Sequence, residues 1–154
     1  MRPRFGWGRF LVPRGRWFKR TCLLFAFILF DYSITATFCK TPLMEGNLFA
    51  RRWMELYGIP LGLTIFVLLM NLPVYLTLCL DSAISRKLPV TILSKVEPMV
   101  DAVFAWFIAG VHFNGATSWF WYMPQGLRQL VGCGTYLTAT LAWTYEFRAP
   151  GRQW

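Results

Sequence analysis

The sequence predicts an all-α integral membrane protein, a four-helix bundle with its N-terminus and C-terminus on the cytoplasmic side. Three observations carry that prediction. Charged residues make up 15% of the chain, where a soluble domain carries about a quarter. Hydrophobic residues reach 56% and aromatic residues 18% over 154 positions, more apolar surface than so short a chain can bury by itself. The apolar residues also fall in four runs, each close to the ~20 residues a helix needs to cross a bilayer.

Residues 1–20 form a basic, aromatic interfacial arm. Arg2, Arg4, Arg9, Arg14, Arg16, Lys19 and Arg20 alternate with Phe5, Trp7, Phe10, Trp17 and Phe18. Such rings suit the headgroup zone and such cations suit lipid phosphates, so these seven basic residues are expected to contact anionic lipid. Pro3, Gly6, Gly8, Pro13 and Gly15 oppose a long regular helix here. The formal net charge of +9 is concentrated beside a span. That placement points to a bilayer with anionic headgroups as partner, and away from nucleic acid.

A domain of transmembrane helices follows over 21–147. The first span covers about 21–38. Asp31 in its middle and the lack of an Ala-x-Ala site favour a retained helix over a cleaved signal peptide. The connection 39–56 carries Lys40, Glu45, Arg51, Arg52 and Glu55, with Arg51 and Glu55 spaced for an i,i+4 pair. The second span, about 57–80, contains Asn71 and Pro73, and neighbouring helices can tolerate a proline kink in a membrane. Residues 81–97 read as a polar inner loop holding Arg86, Lys87 and Lys95. The third span, about 99–119, carries Asp101 and His112. Residues 122–128 form a short outer turn, the fourth span covers about 130–147, and 148–154 is a short basic tail.

Orientation follows from the basic residues. With the N-terminus inside, the inner segments hold the arm cluster, Arg86, Lys87, Lys95, Arg148 and Arg152. The outer segments hold only Lys40, Arg51, Arg52 and Arg128. That is the sense of the positive-inside rule. Trp53, Tyr57, Trp119, Trp121 and Tyr122 would then form an outer aromatic belt, and Trp17, Trp143 and Tyr145 an inner one. The expected location is the cytoplasmic (inner) membrane.

Asp31 is the most informative residue. A carboxylate in hydrocarbon costs about 2.5–3.5 kcal/mol on insertion scales, so it must face other helices. Thr35 lies one turn further on the same face, and Asn71 of the second span is within reach. The three residues make either a polar clamp between helices or a proton or ion relay. Asp101 lies nearer the inner interface, where Lys95 and Glu97 accompany it. His112 is the only histidine and no second metal ligand accompanies it, so no metal site is expected and no cofactor is predicted. The alternative for His112 is a single axial ligand to haem or chlorophyll, with Ala105, Ala109 and Gly110 leaving room for a planar group. Ser118 lacks the flanking pattern of a serine nucleophile and is expected to bond its own helix end. The aspartates lack the flanking residues of intramembrane aspartyl proteases, so no catalytic residue is assigned. Cys22, Cys39, Cys79 and Cys133 show no disulfide spacing. Cys39, near the outer end of the first span, is the one open to oxidation or lipidation.

A weak internal echo relates Asp31, Glu45-Gly46-Asn47 and Gly58 to Asp101, Asn114-Gly115-Ala116 and Gly126. Coincidence in a Gly-rich apolar chain accounts for it better than duplication. The run from Asp31 through Thr35 to Glu45-Gly46-Asn47 and Gly58 also resembles a loose group of uncharacterised small polytopic membrane proteins. In that group an Asp and a Thr in the first helix precede a Glu-x-Asn-Pro turn, whereas Leu48 stands here in place of the proline. The resemblance covers the first half of the chain. It implies a four-helix fold and a role for Asp31, Thr35, Glu45 and Asn47 in holding the first two helices together, and it brings no activity.

The expected function is that of an accessory or interaction subunit of a larger membrane complex, associating with other membrane proteins or with itself. The alternative is an oligomeric transporter or channel component using Asp31. An intramembrane enzyme is the third expectation and would need Asp31, Asp101 or His112 to converge in one cavity.

Overall fold

The structure, a computed structural model, describes residues 11–145. Their regular secondary structure is all helical, with no strand among them. Helix α1 runs Arg16–Phe38, followed by a single 3-10 turn at Pro42–Met44. Helix α2 is Leu48–Tyr57 and α3 is Ile59–Ser85. Helix α4 (Val90–Phe104) continues through a π-helical turn at Ala105–Gly110 into α5 (Val111–Thr117). Helix α6 is Gln125–Tyr145.

Helices α1 and α3 are long and apolar enough to cross a membrane, and only 22% of each apolar stretch is buried. A core helix of a soluble protein would be mostly covered. Along α3, Leu61, Leu68, Leu69, Leu72, Leu76 and Leu80 stand exposed on several faces. The α4–α5 rod is divided by its π turn, so neither piece is long enough by itself.

Helix α1 is the centre of the fold. It packs on α3 to one side and on the α4–α5 rod and α6 to the other. Trp17, Leu24 and Phe27 of α1 meet Leu78, Phe104, Ala105, Ala109 and Tyr136 in the main apolar cluster. Ala105, Ala109 and Gly110 are buried. Small residues at such spacing let helix backbones approach, a route to close packing where water supplies no hydrophobic drive. The π turn leaves backbone carbonyls off the regular ladder, and Gln129 of α6 donates to the Trp106 carbonyl at 3.2 Å.

Two features show how α1 and the α4–α5 rod align. Arg20 pairs with Asp101 and Asp31 pairs with His112, and each pair is 81 residues apart in sequence. The separation stays constant as both partners advance, so the two rods run parallel and in register.

Several boundaries differ from those the sequence predicts. The first helix starts at Arg16, not near 21, because Arg16 and Arg20 meet Glu97 and Asp101 across the interface. Residues 81–97 are mostly helical and only 86–89 connect α3 to α4. Their charges lie on helix faces, and a helix does not stop where the hydrocarbon does. The last helix begins at Gln125, so Arg128 lies within it and the turn precedes it. The connection 39–56 contains α2, which is amphipathic. Asn47 caps α2 by accepting from the Phe49 and Ala50 N–H groups, and Leu48 takes the first helical position, where a proline is also well suited. The expected Arg51–Glu55 pair does not form. Arg52 pairs with Glu55 at 3.3 Å, while Arg51 donates twice to the Glu45 carbonyl. Helices α2 and α3 are separated by Gly58, whose φ of +80° is open to glycine and strained for other residues. Replacing Asn47 with Ala removes the cap and should cost about 1 kcal/mol, readable as a lowered melting temperature in detergent. An unchanged melt would mean that the cap contributes nothing.

The echo between Glu45–Asn47 and Asn114–Ala116 has no structural counterpart. The first segment is a turn before a helix and the second lies inside α5. The arm residues Arg2, Arg4 and Arg9 and the tail 148–154 lie outside the described residues.

Candidate functional site

Side chains of α1, α3, the α4–α5 rod and the connection before α2 enclose a cavity of about 770 Å³. Helix α1 contributes Asp31, Tyr32 and Thr35. The connection before α2 adds Glu45 and Asn47, α3 adds Asn71 beside a wall of apolar side chains, and the rod adds His112 and Asn114. Pockets for small molecules span about 300–1,000 Å³ and combine apolar walls with a few placed polar groups.

The lining includes a carboxylate–imidazole pair. His112 Nδ1 is 2.8 Å from Asp31 Oδ2, and both side chains are about four-fifths covered. The pair exists because Gly115 sits one turn after His112. A Cβ at Gly115 would fall 2.8 Å from Asp31 Oδ1, so only glycine lets the carboxylate come this close. The second Asp31 oxygen and His112 Nε2 take no hydrogen bond from a described residue.

Thr35 is 5% exposed and accepts a bond from Trp119 Nε1 at 3.2 Å. Unlike Thr21, Thr37, Thr64 and Thr77, it does not donate to the carbonyl one turn back. Among the described residues no acceptor takes its hydroxyl hydrogen. Asn71, 7% exposed, does not reach Asp31 as the sequence suggested. Its Nδ2 donates to the Val67 carbonyl at 2.9 Å, one turn back in its own helix, and its Oδ1 accepts nothing from a described residue. The three residues nevertheless line one cavity, as does His112, whose pairing with Asp31 sequence reasoning missed.

Glu45 forms part of the cavity rim. Its Oε1 accepts from the Asn47 N–H at 2.8 Å. Burial pushes its carboxyl above the usual carboxylate range, the charge of Asp31 adds to the rise, and backbone hydrogen bonds and Arg51 offset part of it. Arg128 lies at the other rim, bonded to Asn114 Oδ1 and to the Trp121 and Met123 carbonyls. It thereby fixes the turn that enters α6. Ser118 bonds the Gly115 carbonyl at 2.6 Å, as a serine at a helix end does.

The opposite end of the bundle holds a second polar cluster, distinct from the cavity. Arg20 forks onto Asp101 with two bonds of 2.7 Å and reaches Glu97 at 3.2 Å. Its guanidinium lies 4.8 Å from the Trp17 ring. Arg20 is 4% exposed, so the expectation that it contacts lipid phosphate is corrected: it neutralises Asp101 inside the bundle. Arg16 pairs with Glu97 at 3.2 Å yet stays largely exposed, and Lys19 rests over the Trp143 ring. Trp17 is likewise buried, donating to Ser85 Oγ at 2.9 Å, and is not a belt residue. Asp101 is not left to interfacial solvent, and it lies about 16 Å from His112 along the rod by helical rise. It does not converge with Asp31 and His112. Between the two clusters stand Leu24, Phe27, Leu78, Phe104 and Tyr136, which close the bundle with apolar side chains.

Cys39, expected to be open to modification, is buried, with its Sγ against the Thr41 carbonyl at 3.2 Å. Among the described residues no group of three or more His, Cys, Asp or Glu side chains gathers as a metal site. No protein-family model, curated protein or solved structure matches the chain. The reading of this site therefore stands on its own geometry.

Proposed function

We propose that this chain is a four-helix integral membrane protein, with both termini on the cytoplasmic side, that acts as a transport component. In this reading α1, α3, the α4–α5 rod and α6 span the bilayer, α2 lies at the outer surface, and the cavity opens outward. One observation carries it: a carboxylate–imidazole pair lines a roomy cavity whose buried Thr35 and Asn71 still have hydrogen-bonding atoms to offer among the described residues. A mere helix clamp would bury its polar groups against one another and leave no such space. An intramembrane acid with a named partner is by default a functional site. The apolar seal below the cavity makes this an outward-open arrangement, so passage requires the inner half to open in turn. Four helices are few for one pathway, which favours a homo-oligomer.

The test is proton flux into proteoliposomes carrying entrapped pyranine, driven by a potassium diffusion potential. Wild-type protein is expected to conduct and Asp31→Asn to lose at least tenfold, with its melting temperature unchanged. Equal flux in both would overturn the transport role of Asp31. Equal loss of folding and flux would return Asp31 to a clamp.

A second reading, an accessory or interaction subunit, is favoured by the open side of the cavity, where a partner helix could seat between α3 and the α4–α5 rod. A tagged pull-down in mild detergent that yields a defined set of membrane proteins, together with an absence of flux, would support it. An absorption spectrum of the same material would report any haem or chlorophyll held by His112.

A further inference from the structure

The chain as a whole is strongly basic, with a net charge of +9, yet the cavity is not. Two carboxylates line it, Asp31 and Glu45, together with His112, which is bonded to Asp31 Oδ2, and the guanidinium of Arg128, which is already bonded to a side-chain amide and two carbonyls. The two carboxylates are close enough for the charge of Asp31 to hinder ionisation of Glu45. A positive group beside Glu45 would favour its ionised form. Asn71, nine-tenths buried, adds an acceptor oxygen with no donor among the described residues.

The remaining walls are aromatic and aliphatic. Tyr32, Phe66 and Trp119 line the space, and so do Leu63, Val67 and Val74. Aromatic faces attract cations through the ring quadrupole, most strongly where water is excluded. Carboxylates from α1 and the connection before α2, and apolar side chains from α3, line the same space and suit an amphipathic occupant. An inorganic cation would leave the apolar wall unused, and an anion would meet two carboxylates.

We propose that the cavity binds an organic ammonium ion with an apolar body, the charged nitrogen lying between Asp31 and Glu45 and the body lying against Phe66 and α3. This rests on the cavity being the working site, as argued above, and adds the chemical class of its occupant.

Three probes share one ring and differ in charge: benzylammonium, benzyl alcohol and benzoate. Binding of each to the full chain in nanodiscs is measured at pH 7 by saturation-transfer NMR with a titration. Benzylammonium is expected to bind saturably, with benzoate and benzyl alcohol at least tenfold weaker. Glu45→Gln and Asp31→Asn should each weaken benzylammonium severalfold, and the double variant at least tenfold, with melting temperatures checked alongside. Benzoate or benzyl alcohol binding as tightly as benzylammonium, and weakened by Asn71→Leu, would overturn the cationic occupant while leaving the cavity as a site. Benzylammonium binding that the carboxylate variants do not alter would overturn the proposal as well. No saturable binding of any probe to folded protein would overturn both the ligand class and the reading beneath it.

Discussion

Replacing Arg20 with Met will destabilise the protein by about 3–5 kcal/mol, the scale for removing one partner of a buried ion pair. Arg20 supplies two 2.7 Å bonds to Asp101 and one longer bond to Glu97. Both carboxylates are mostly covered. Without the guanidinium they face each other in poor solvent with only the exposed Arg16 nearby. The double variant Arg20→Met with Asp101→Leu should recover much of the loss. It removes one of the two stranded carboxylates, and Arg20 Nη1 is buried with no hydrogen-bond partner among the described residues. Arg20→Lys should fall between, since a lysine keeps the charge and loses the planar fork. Thermal unfolding in detergent reads all three. A melting temperature for Arg20→Met within a degree or two of wild type would show that the cluster is solvated and the pair unimportant.

Gly115→Ala will disable the cavity while leaving the fold nearly intact. The added methyl would lie 2.8–3.1 Å from the Asp31 carboxyl group. The end of a flexible side chain is the cheapest thing to move, so Asp31 will turn away and the bond to His112 will break. The expected result is at least a tenfold loss of proton flux, comparable with Asp31→Asn, at a melting temperature close to wild type. Flux that matches wild type would mean that the close approach of α1 and α5 has no functional role. A collapse in stability would mean that the backbone, and not the carboxylate, had to move.

The two variants act at opposite ends of one interface, and this shows what the sequence could reveal. The helices were legible because their apolar runs are long. Their ends were not, because residues such as Arg20 and Glu97 look like loop charges until a partner is found for them. Asp31 and Thr35 stood out as polar residues in hydrocarbon. Their partners, His112 and Trp119, lie more than 80 residues away, and no local pattern joins them. A signal did exist: Arg20 with Asp101 and Asp31 with His112 share one separation, as parallel helices in register require. The sequence puts Asn71 within reach of Asp31; it lines the same cavity but donates to the Val67 carbonyl one turn back. The cavity itself is lined by residues of α1, α3, the α4–α5 rod and the connection before α2, a tertiary property that no short motif encodes.

The proposed function requires a cavity that opens to the outer face of a membrane crossed by the helices. Labelling of single cysteines with a membrane-impermeant maleimide, in a background lacking the native cysteines, tests it most directly. Ser118→Cys sits on the cavity wall, and Leu88→Cys sits in the connection between α3 and α4. In intact cells Ser118→Cys should label and Leu88→Cys should not, with Leu88→Cys labelling only after the membrane is opened. Labelling of both from one side, or the reverse pattern, would contradict the outward-facing cavity and the topology on which the proposed function depends.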